Sequence, residues 1–319
     1  MRFKVKFGLW RYDPINKRWC MSAANYRMHH SKGDWNRMKV DFHCHTSASD
    51  GDLTPLQIID LACEKNLDCL AITDHDTTAG YQQAKDYAQQ KGLALISGVE
   101  MSVLWQGRTV HIVGLNVDVN HSPLQDLLSE IRQLRWHRII EMNAKLVKRG
   151  HECMLDAIRE RVADGVVARP HLAQVLVERQ RVQTVSQAFD RFLKNGRPGF
   201  VKAHWPSLQE GVEHILAAGG VAVVAHPGQY QLTRRKLNLM LEEFAQVGGQ
   251  GLEVVTSPHR TSDAIGMADR AKRYGLYASL GSDFHSPSHR WRNLGWLADL
   301  PEGVTPIYEL FNVTQLANS

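Results

Sequence analysis

Asp41-Phe42-His43-Cys44-His45-Thr46-Ser47-Ala48-Ser49-Asp50-Gly51 sets two imidazoles two residues apart at the end of a short apolar run, with a carboxylate five residues further on. In an extended segment alternate side chains share a face, so His43 and His45 address one point while Cys44 turns into the core. That is the spacing of metal ligands. An isolated surface histidine pair is the bland alternative, and the rest of the chain has to decide between them.

It does so by repetition. Asp74-His75-Asp76 follows the apolar run 69–72, and Glu100 follows 93–96. His111 sits at the head of 110–113, His226-Pro227 ends 221–225, and Asp283-Phe284-His285 ends 277–280. Strand-like runs near 39–43, 69–73, 93–97, 110–116, 221–225, 252–256 and 277–281 alternate with helical patterns. One such helix opens at Thr54-Pro55, with Pro in the first turn. Repeated βα units imply a parallel sheet. Ligands at the C-terminal ends of its strands are what a closed (β/α) barrel produces.

Between about 121 and 205 the strand signal disappears. Ser122-Pro123-Leu124-Gln125 reads as a capping box with Pro at the first helical position, and Leu124, Leu128 and Ile131 keep helical spacing. Thr184-Val185-Ser186-Gln187 reads as a second box, with Ala188, Phe189 and Phe192 inward. This is an expected helical insertion over the barrel mouth.

The chain has 319 residues, 43% hydrophobic and 22% charged, which suits one large globular core. Five scattered cysteines without a C-x-x-C pair argue against a disulfide framework and a zinc finger. No apolar run approaches the roughly 20 residues needed to span a bilayer, and the N-terminus lacks a secretory apolar stretch, so the cytoplasm is the default location. Residues 1–39 carry a net charge of +8, leaving −3 on the remainder of a chain whose total is +5. Any affinity for nucleic acid is therefore expected from a local groove and from bound metals, not from a global positive field. Residues 1–38 read as a basic, tryptophan-containing extension expected to be poorly ordered, with Met21, Met28 and Met38 as alternative starts. Residues 39–300 read as the catalytic barrel and 301–319 as a C-terminal tail.

From about Lys39 to Trp296 the sequence resembles the PHP (polymerase and histidinol phosphatase) metallophosphoesterase family. The blocks HxHxxxSD, TDHD, GxE, a single His, HPG and SDFH stand here in order. Within the family, ASDG-x-LTP, AITDHDTTAG, IVGLN-D and RPH resemble the branch of ribonuclease AM and the 3′,5′-nucleoside bisphosphate phosphatases. The resemblance implies a distorted (β/α)7 barrel, α/β in class.

Six histidines (His43, His45, His75, His111, His226, His285) and three carboxylates (Asp50, Glu100, Asp283) are too many donors for one metal and fit three. By resemblance the first ion takes His43, His45, Glu100 and Asp283, the second Asp50, His75 and His285, and the third Glu100, His111 and His226. Mixed imidazole and carboxylate ligation without thiolate suits Mn²⁺, Fe²⁺ or Zn²⁺, and the family favours Mn²⁺. Clustered ions serve phosphoryl transfer to water.

Arg169-Pro170-His171, in the insertion, is a candidate clamp. The guanidinium would grip a second phosphate bidentately, and His171 would donate a hydrogen bond or protonate a leaving group. An ordinary helix-start arginine is the alternative. Lys202 is a further phosphate-binding candidate. Asp74 and Asp76 are candidates to orient His75 by hydrogen bonding to its ring from behind the metal, or else to cap the following turn.

The resemblance implies a 5′-to-3′ exoribonuclease trimming RNA or rRNA precursors, with 3′,5′-nucleoside bisphosphate phosphatase activity at the same site. Its partners are then RNA 5′ ends and small nucleotides. A small-metabolite phosphatase of the histidinol-phosphate kind and a non-catalytic PHP module stay open as alternatives.

Overall fold

The computed structural model describes residues 10–13, 18–21, 38–257, 261–289 and 291–311. The chain falls into two units, Met1–Asn36 and Arg37–Ser319. In the first, β1 (Trp10–Asp13) pairs antiparallel with β2 (Arg18–Met21). The expectation of poor order for 1–38 falls otherwise almost wholly outside the described residues.

In the second unit β3 (Val40–Cys44), β4 (Cys69–Ile72), β5 (Ala94–Trp105), β6 (Arg108–Leu115), β7 (Val221–Val224), β8 (Gly251–Thr256) and β9 (Tyr277–Gly281) form one sheet in chain order. The sheet is nearly closed, because the Asp283 amide donates to the His43 carbonyl at 2.9 Å and the His45 amide to the Phe284 carbonyl at 2.9 Å. Helix α1 (Pro55–Glu64) joins β3 to β4, and α2 (Ala79–Lys91) joins β4 to β5. The α1 start is a reciprocal cap: Thr54 Oγ1 accepts from the Gln57 amide and Gln57 Oε1 from the Thr54 amide. Ile58, Ile59 and Ala62 of α1 and Ala84 and Ala88 of α2 share one buried cluster with Leu70, Ile72 and Phe284.

An all-parallel sheet is corrected at β6, which runs antiparallel to both β5 and β7. The strands β5 and β6 are a hairpin turned at Gln106 and Gly107, both at positive φ (46° and 74°), the signature of a primed turn that matches strand twist. No helix intervenes. The reversal puts the start of β6 at the rim where its parallel neighbours end, which brings His111 to the site.

Between β6 and β7 lie α3 (Ser122–Val147), α4 (Leu155–Val162), α5 (Arg169–Glu178), α6 (Val185–Ala188), a π turn (Phe189–Leu193) and α7 (Leu208–Ala217). Met142, Leu146, Ile158, Leu172, Leu176 and Leu193 belong to an apolar cluster that these helices build among themselves. Helix α7 instead covers the sheet, so closely that a Cβ on Gly211 would lie 2.5 Å from Val103 Cγ1. The predicted box at Ser122 is not formed: His121 is the N-cap without a side-chain cap, and Ser122 Oγ donates to Asp126. At the second box Thr184 accepts from the Gln187 amide, while Gln187 reaches back to the Gln183 amide instead.

Helix α8 (Arg234–Gln246) follows β7, and α9 (Thr261–Tyr274) follows β8. The packed chain continues past 300: Ile307 and Phe311 are buried, and the Phe311 ring meets Phe42 edge-on at 5.6 Å.

Candidate active site

All nine predicted donors converge at the rim where the parallel strands end. His43 and His45 point inward, and Cys44, fully buried, donates its thiol to the Ala71 carbonyl, as strand alternation requires. His45 and Asp50 are joined by a tight loop in which the Gly51 amide donates to the Thr46 carbonyl at 2.9 Å. A side chain at 51 would put Cβ 2.5 Å from the His45 carbonyl oxygen, so only glycine fits. His226 and Asp283 sit just past β7 and β9 with φ of 27° and 53°, a strained backbone that a folded frame must impose.

Glu100, buried on β5, is the hub. Its Oε1 lies 2.7 Å from His226 Nε2 and 2.9 Å from His111 Nδ1. Its Oε2 lies 2.8 Å from His75 Nδ1 and 3.3 Å from His45 Nε2. Asp283 Oδ1 is 3.4 Å from His45 Nε2 and 3.5 Å from His285 Nδ1, and Asp50 Oδ1 is 3.4 Å from His285 Nε2. Among the described residues the donor atoms form four overlapping groups, each within 4.8 Å: His45/Asp50/His75/His285, His43/Glu100/His226, His43/His45/Asp283 and His75/Glu100/His111.

These residues fit divalent cations. His43 Nδ1 lies 2.6 Å from Glu253 Oε1; a proton held on that nitrogen leaves Nε2 an acceptor, and Nε2 faces His45 Nε2 at 3.2 Å. Among the described residues Asp50 Oδ1 and His226 Nδ1 are buried without a hydrogen-bond partner, and so are His75 Nδ1 and Glu100 Oε2, which stand 2.8 Å apart without forming a directed hydrogen bond. Acceptors aimed at one another in a buried site call for positive charge between them. The protonation pattern says the same. Burial opposes the charge on Glu100 and on Asp283, but His111, His75 and His43 hold the first, and His285 and His45 the second, well below the carboxylate range. His75 goes the other way, pushed by burial down to about 4 against Glu100 and Asp50.

Neither predicted supporting carboxylate reaches His75. Asp74 takes the Thr46 amide at 2.7 Å, the Thr46 hydroxyl at 2.8 Å and the Ser49 hydroxyl at 2.6 Å, so it fixes the loop that carries His45 and Asp50. Asp76 takes the Ser102 amide and pairs with Arg135. The carboxylate that does orient ligands is Glu253, whose other oxygen accepts the His226 amide. Its signal was a lone acid inside the apolar run of β8. Arg292 was missed as well: its Nη1 lies 2.7 Å from Asp283 Oδ2, the oxygen turned away from the histidines.

The donors open onto a cavity of about 660 Å³ whose walls include Arg138, Arg169, Lys194, Trp205, Phe189 and Arg292. Arg169 lies over the Phe189 ring at 5.5 Å. Burial and the neighbouring Arg169 and Arg135 push Arg138 down to about 9, and burial lowers Arg169 too. Neither guanidinium has a carboxylate partner among the described residues, so the pair is poised for an anion. His171, two residues further along the same helix, accepts the Ala168 amide on Nδ1 at 3.0 Å, which leaves Nε2 as the donor of the neutral ring; burial keeps that ring neutral, and Arg169 and Pro170 line the cavity while His171 does not. Lys202 is exposed and does not line the cavity, whereas Lys194 does.

Comparison with known proteins agrees with this geometry. The PHP domain profile matches residues 41–257. A 5′-3′ exoribonuclease of Haemophilus influenzae is 40% identical over 86% of the chain and 99% of its own length. A 3′,5′-nucleoside bisphosphate phosphatase of Chromobacterium violaceum is 40% identical over 84% of the chain and 95% of its own. A solved structure from C. violaceum, described as an amidohydrolase with bound sulfate and no metal, superposes with a TM-score of 0.81 at 38% identity, covering 88% of this chain and 96% of that one. No helix among the described residues is long and apolar enough to cross a membrane.

Proposed function

The chain belongs to the PHP domain family, a hydrolase of phosphate esters, and from that premise we propose that it is a 5′-to-3′ exoribonuclease with 3′,5′-nucleoside bisphosphate phosphatase activity at the same site. The observation that carries the reading is that one cavity is lined both by seven of the nine candidate cation donors and by two guanidiniums that lack carboxylate partners among the described residues. A terminal phosphate and a neighbouring phosphate ester need those two environments side by side.

Three divalent ions, Mn²⁺ in the first place with Fe²⁺ or Zn²⁺ as alternatives, fit the imidazole and carboxylate set. His43, His45, Glu100 and Asp283 would hold the first, Asp50, His75 and His285 the second, and Glu100, His111 and His226 the third. Bound there, such ions supply an acidified water and neutralise phosphate oxygens and the departing oxygen. The protein's share is positional. Arg169 and Arg138 take the second phosphate, and His171 presents its Nε2 proton to phosphate or leaving group. Phe189 and Trp205 wall the cavity against water, while Glu253 fixes the His43 ring and Arg292 fixes Asp283. Residues 39–300 form the proposed catalytic barrel, with 121–205 as its helical cover. The cytoplasm is the proposed location.

The test is metal-reconstituted protein incubated with a 5′-monophosphorylated RNA ladder beside adenosine 3′,5′-bisphosphate. Mononucleotides released stepwise from the 5′ end are expected. Hydrolysis of the bisphosphate with an untouched ladder would replace the reading with a small-metabolite phosphatase.

A further inference from the structure

Strands β6 and β7 reach the site through one irregular rung. Their register sets Val113 opposite Val223 and Ile112 opposite Val224, which puts His111 opposite Ala225. The Ala225 amide donates to the His111 carbonyl at 3.1 Å, and a hydrogen-bonded antiparallel pair would add a second bond from the His111 amide to the Ala225 carbonyl. A side chain takes its place. The His111 amide donates to Tyr230 Oη at 2.9 Å, and Tyr230 Oη donates to the Ala225 carbonyl at 2.8 Å, with the His111 carbonyl a longer second acceptor at 3.3 Å. A phenol carries one proton and can also accept, so it fits between an amide and a carbonyl. An oxygen inserted there holds the two backbones further apart than a direct bond does, and it does so where both strands come to the rim.

The placement singles out two of the candidate ligands. His111 carries the amide that the hydroxyl binds, and His226 follows the carbonyl. Their rings turn to the same atom: Glu100 Oε1 lies 2.9 Å from His111 Nδ1 and 2.7 Å from His226 Nε2, and the two nitrogens are 3.4 Å apart. The peptide joining Ala225 to His226 is held at both polar ends, its carbonyl by Tyr230 and its amide by Glu253. His226 has a φ of 27°, a conformation that persists only where the surroundings impose it. Tyr230 comes from the turn Pro227–Tyr230 that His226 itself opens, and its ring meets the His226 ring edge-on at 5.4 Å. Gln229 of the same turn lines the cavity and Tyr230 does not, so the tyrosine acts on the site through the two histidines and not on substrate.

We propose that Tyr230 is a positioning residue of the third cation site: its hydroxyl, as a rung inserted between β6 and β7, sets the separation and aim of His111 and His226 and so the affinity of that site for its ion. The inference rests on the three-ion reading and goes beyond it, since it assigns the hold on one ion to a residue that coordinates nothing. Removing the oxygen leaves the backbone two choices, a direct bond from His111 to Ala225 with the strands drawn together, or an amide and a carbonyl left unpaired. Either one displaces this pair of rings, while the donors that β3, β4 and β9 deliver are untouched.

The experiment titrates metal-free protein with Mn²⁺ in a calorimeter, using wild type, His111→Ala and Tyr230→Phe, the last of which keeps the ring and loses only the oxygen. The binding phase that His111→Ala loses marks the third site. Tyr230→Phe is expected to weaken that phase on the order of 10- to 100-fold, the loss that follows when the support of a metal ligand is removed, and to leave the other phases in place. The Mn²⁺ concentration for half-maximal hydrolysis of adenosine 3′,5′-bisphosphate should rise by the same factor, with kcat regained at saturating metal. Equal weakening of every phase would mean a general loosening of the fold and would overturn the positioning role. A measurement on the wild type needs no variant: in mixed H₂O and D₂O the ¹³Cζ resonance of Tyr230 should split into protonated and deuterated signals, because a hydroxyl bonded on both sides exchanges slowly. One averaged signal would remove the rung. If His111→Ala loses no phase, the three-ion reading falls and the role of Tyr230 with it; a phase lost there but kept at full strength in Tyr230→Phe overturns the role of Tyr230 alone.

Discussion

Glu253 Oε1 stands 2.6 Å from His43 Nδ1, a buried contact spanning 210 residues of sequence. The same carboxylate accepts the His226 amide, so one side chain of β8 sets the orientation of ligands delivered by β3 and β7. It fixes the His43 tautomer with a lone pair on Nε2, the atom that faces the other donors.

Glu253→Ala is therefore expected to weaken metal affinity by about 10- to 100-fold while leaving all nine donors in the sequence. Metal titration followed by calorimetry checks this. Activity should recover at saturating metal, and unchanged affinity in the variant would remove Glu253 from the site's support.

Arg169→Ala should damage substrates with two phosphates far more than those with one. A charge-assisted bidentate contact is worth roughly 1.5–3 kcal/mol, so the loss in kcat/KM on adenosine 3′,5′-bisphosphate should be on the order of 10- to 100-fold. Lysine at 169 should recover only part, since an ammonium lacks the fork. Comparable losses on a nucleoside monophosphate would assign Arg169 to the reacting phosphate or to the fold.

Metal loading should release protons. Burial pulls the His45 imidazolium down, but Asp283 and Glu100 outweigh it and push its pKa up to about 10; His43 is likewise raised, against burial, by Glu253 and Glu100. A raised pKa means that the metal-free site holds protons at neutral pH, and a metal binds only the neutral ring. Apparent metal affinity should then rise with pH across the neutral range and go on rising toward the His45 value. Calorimetric titrations in two buffers of different ionisation enthalpy count the protons; a count of zero at neutral pH would contradict the scheme.

Arg135 supports the frame as well as the cavity wall. It is 8% exposed, and its partner Asp76 is fully buried. Arg135 Nε meets Asp76 Oδ2 at 2.5 Å, and Nη2 donates to Ser102 Oγ at 2.8 Å. Arg135→Ala leaves Asp76 an uncompensated buried charge, with an expected cost of about 3–5 kcal/mol. Urea unfolding measures it, and adding Asp76→Asn should return part of the loss. An unshifted midpoint would mean that water or a neighbouring cation replaces the guanidinium freely.

The donors were legible in sequence because their signals are local. A two-residue period turns His43 and His45 to one side and Cys44 to the other whatever the strand packs against, and carboxylates and histidines at the ends of apolar runs mark a barrel rim. Thr54-Pro55 likewise announces α1 through contacts within four residues. The direction of β6 was not legible by the same means: an apolar run has no polarity, and only pairing with β5 through the turn at Gln106-Gly107 carries His111 to the rim. Asp74 and Asp76 flank His75 in sequence, yet the chain turns their carboxylates to Thr46 and to Arg135. Glu253, Arg138 and Arg292 carry no motif at all. Strand spacing determined which atoms stand as candidate cation donors; which side chains hold them in place, and which guanidiniums face the same cavity, was decided by closing the sheet, since a hydrogen bond across 210 residues exists only once β8 and β9 have returned to β3.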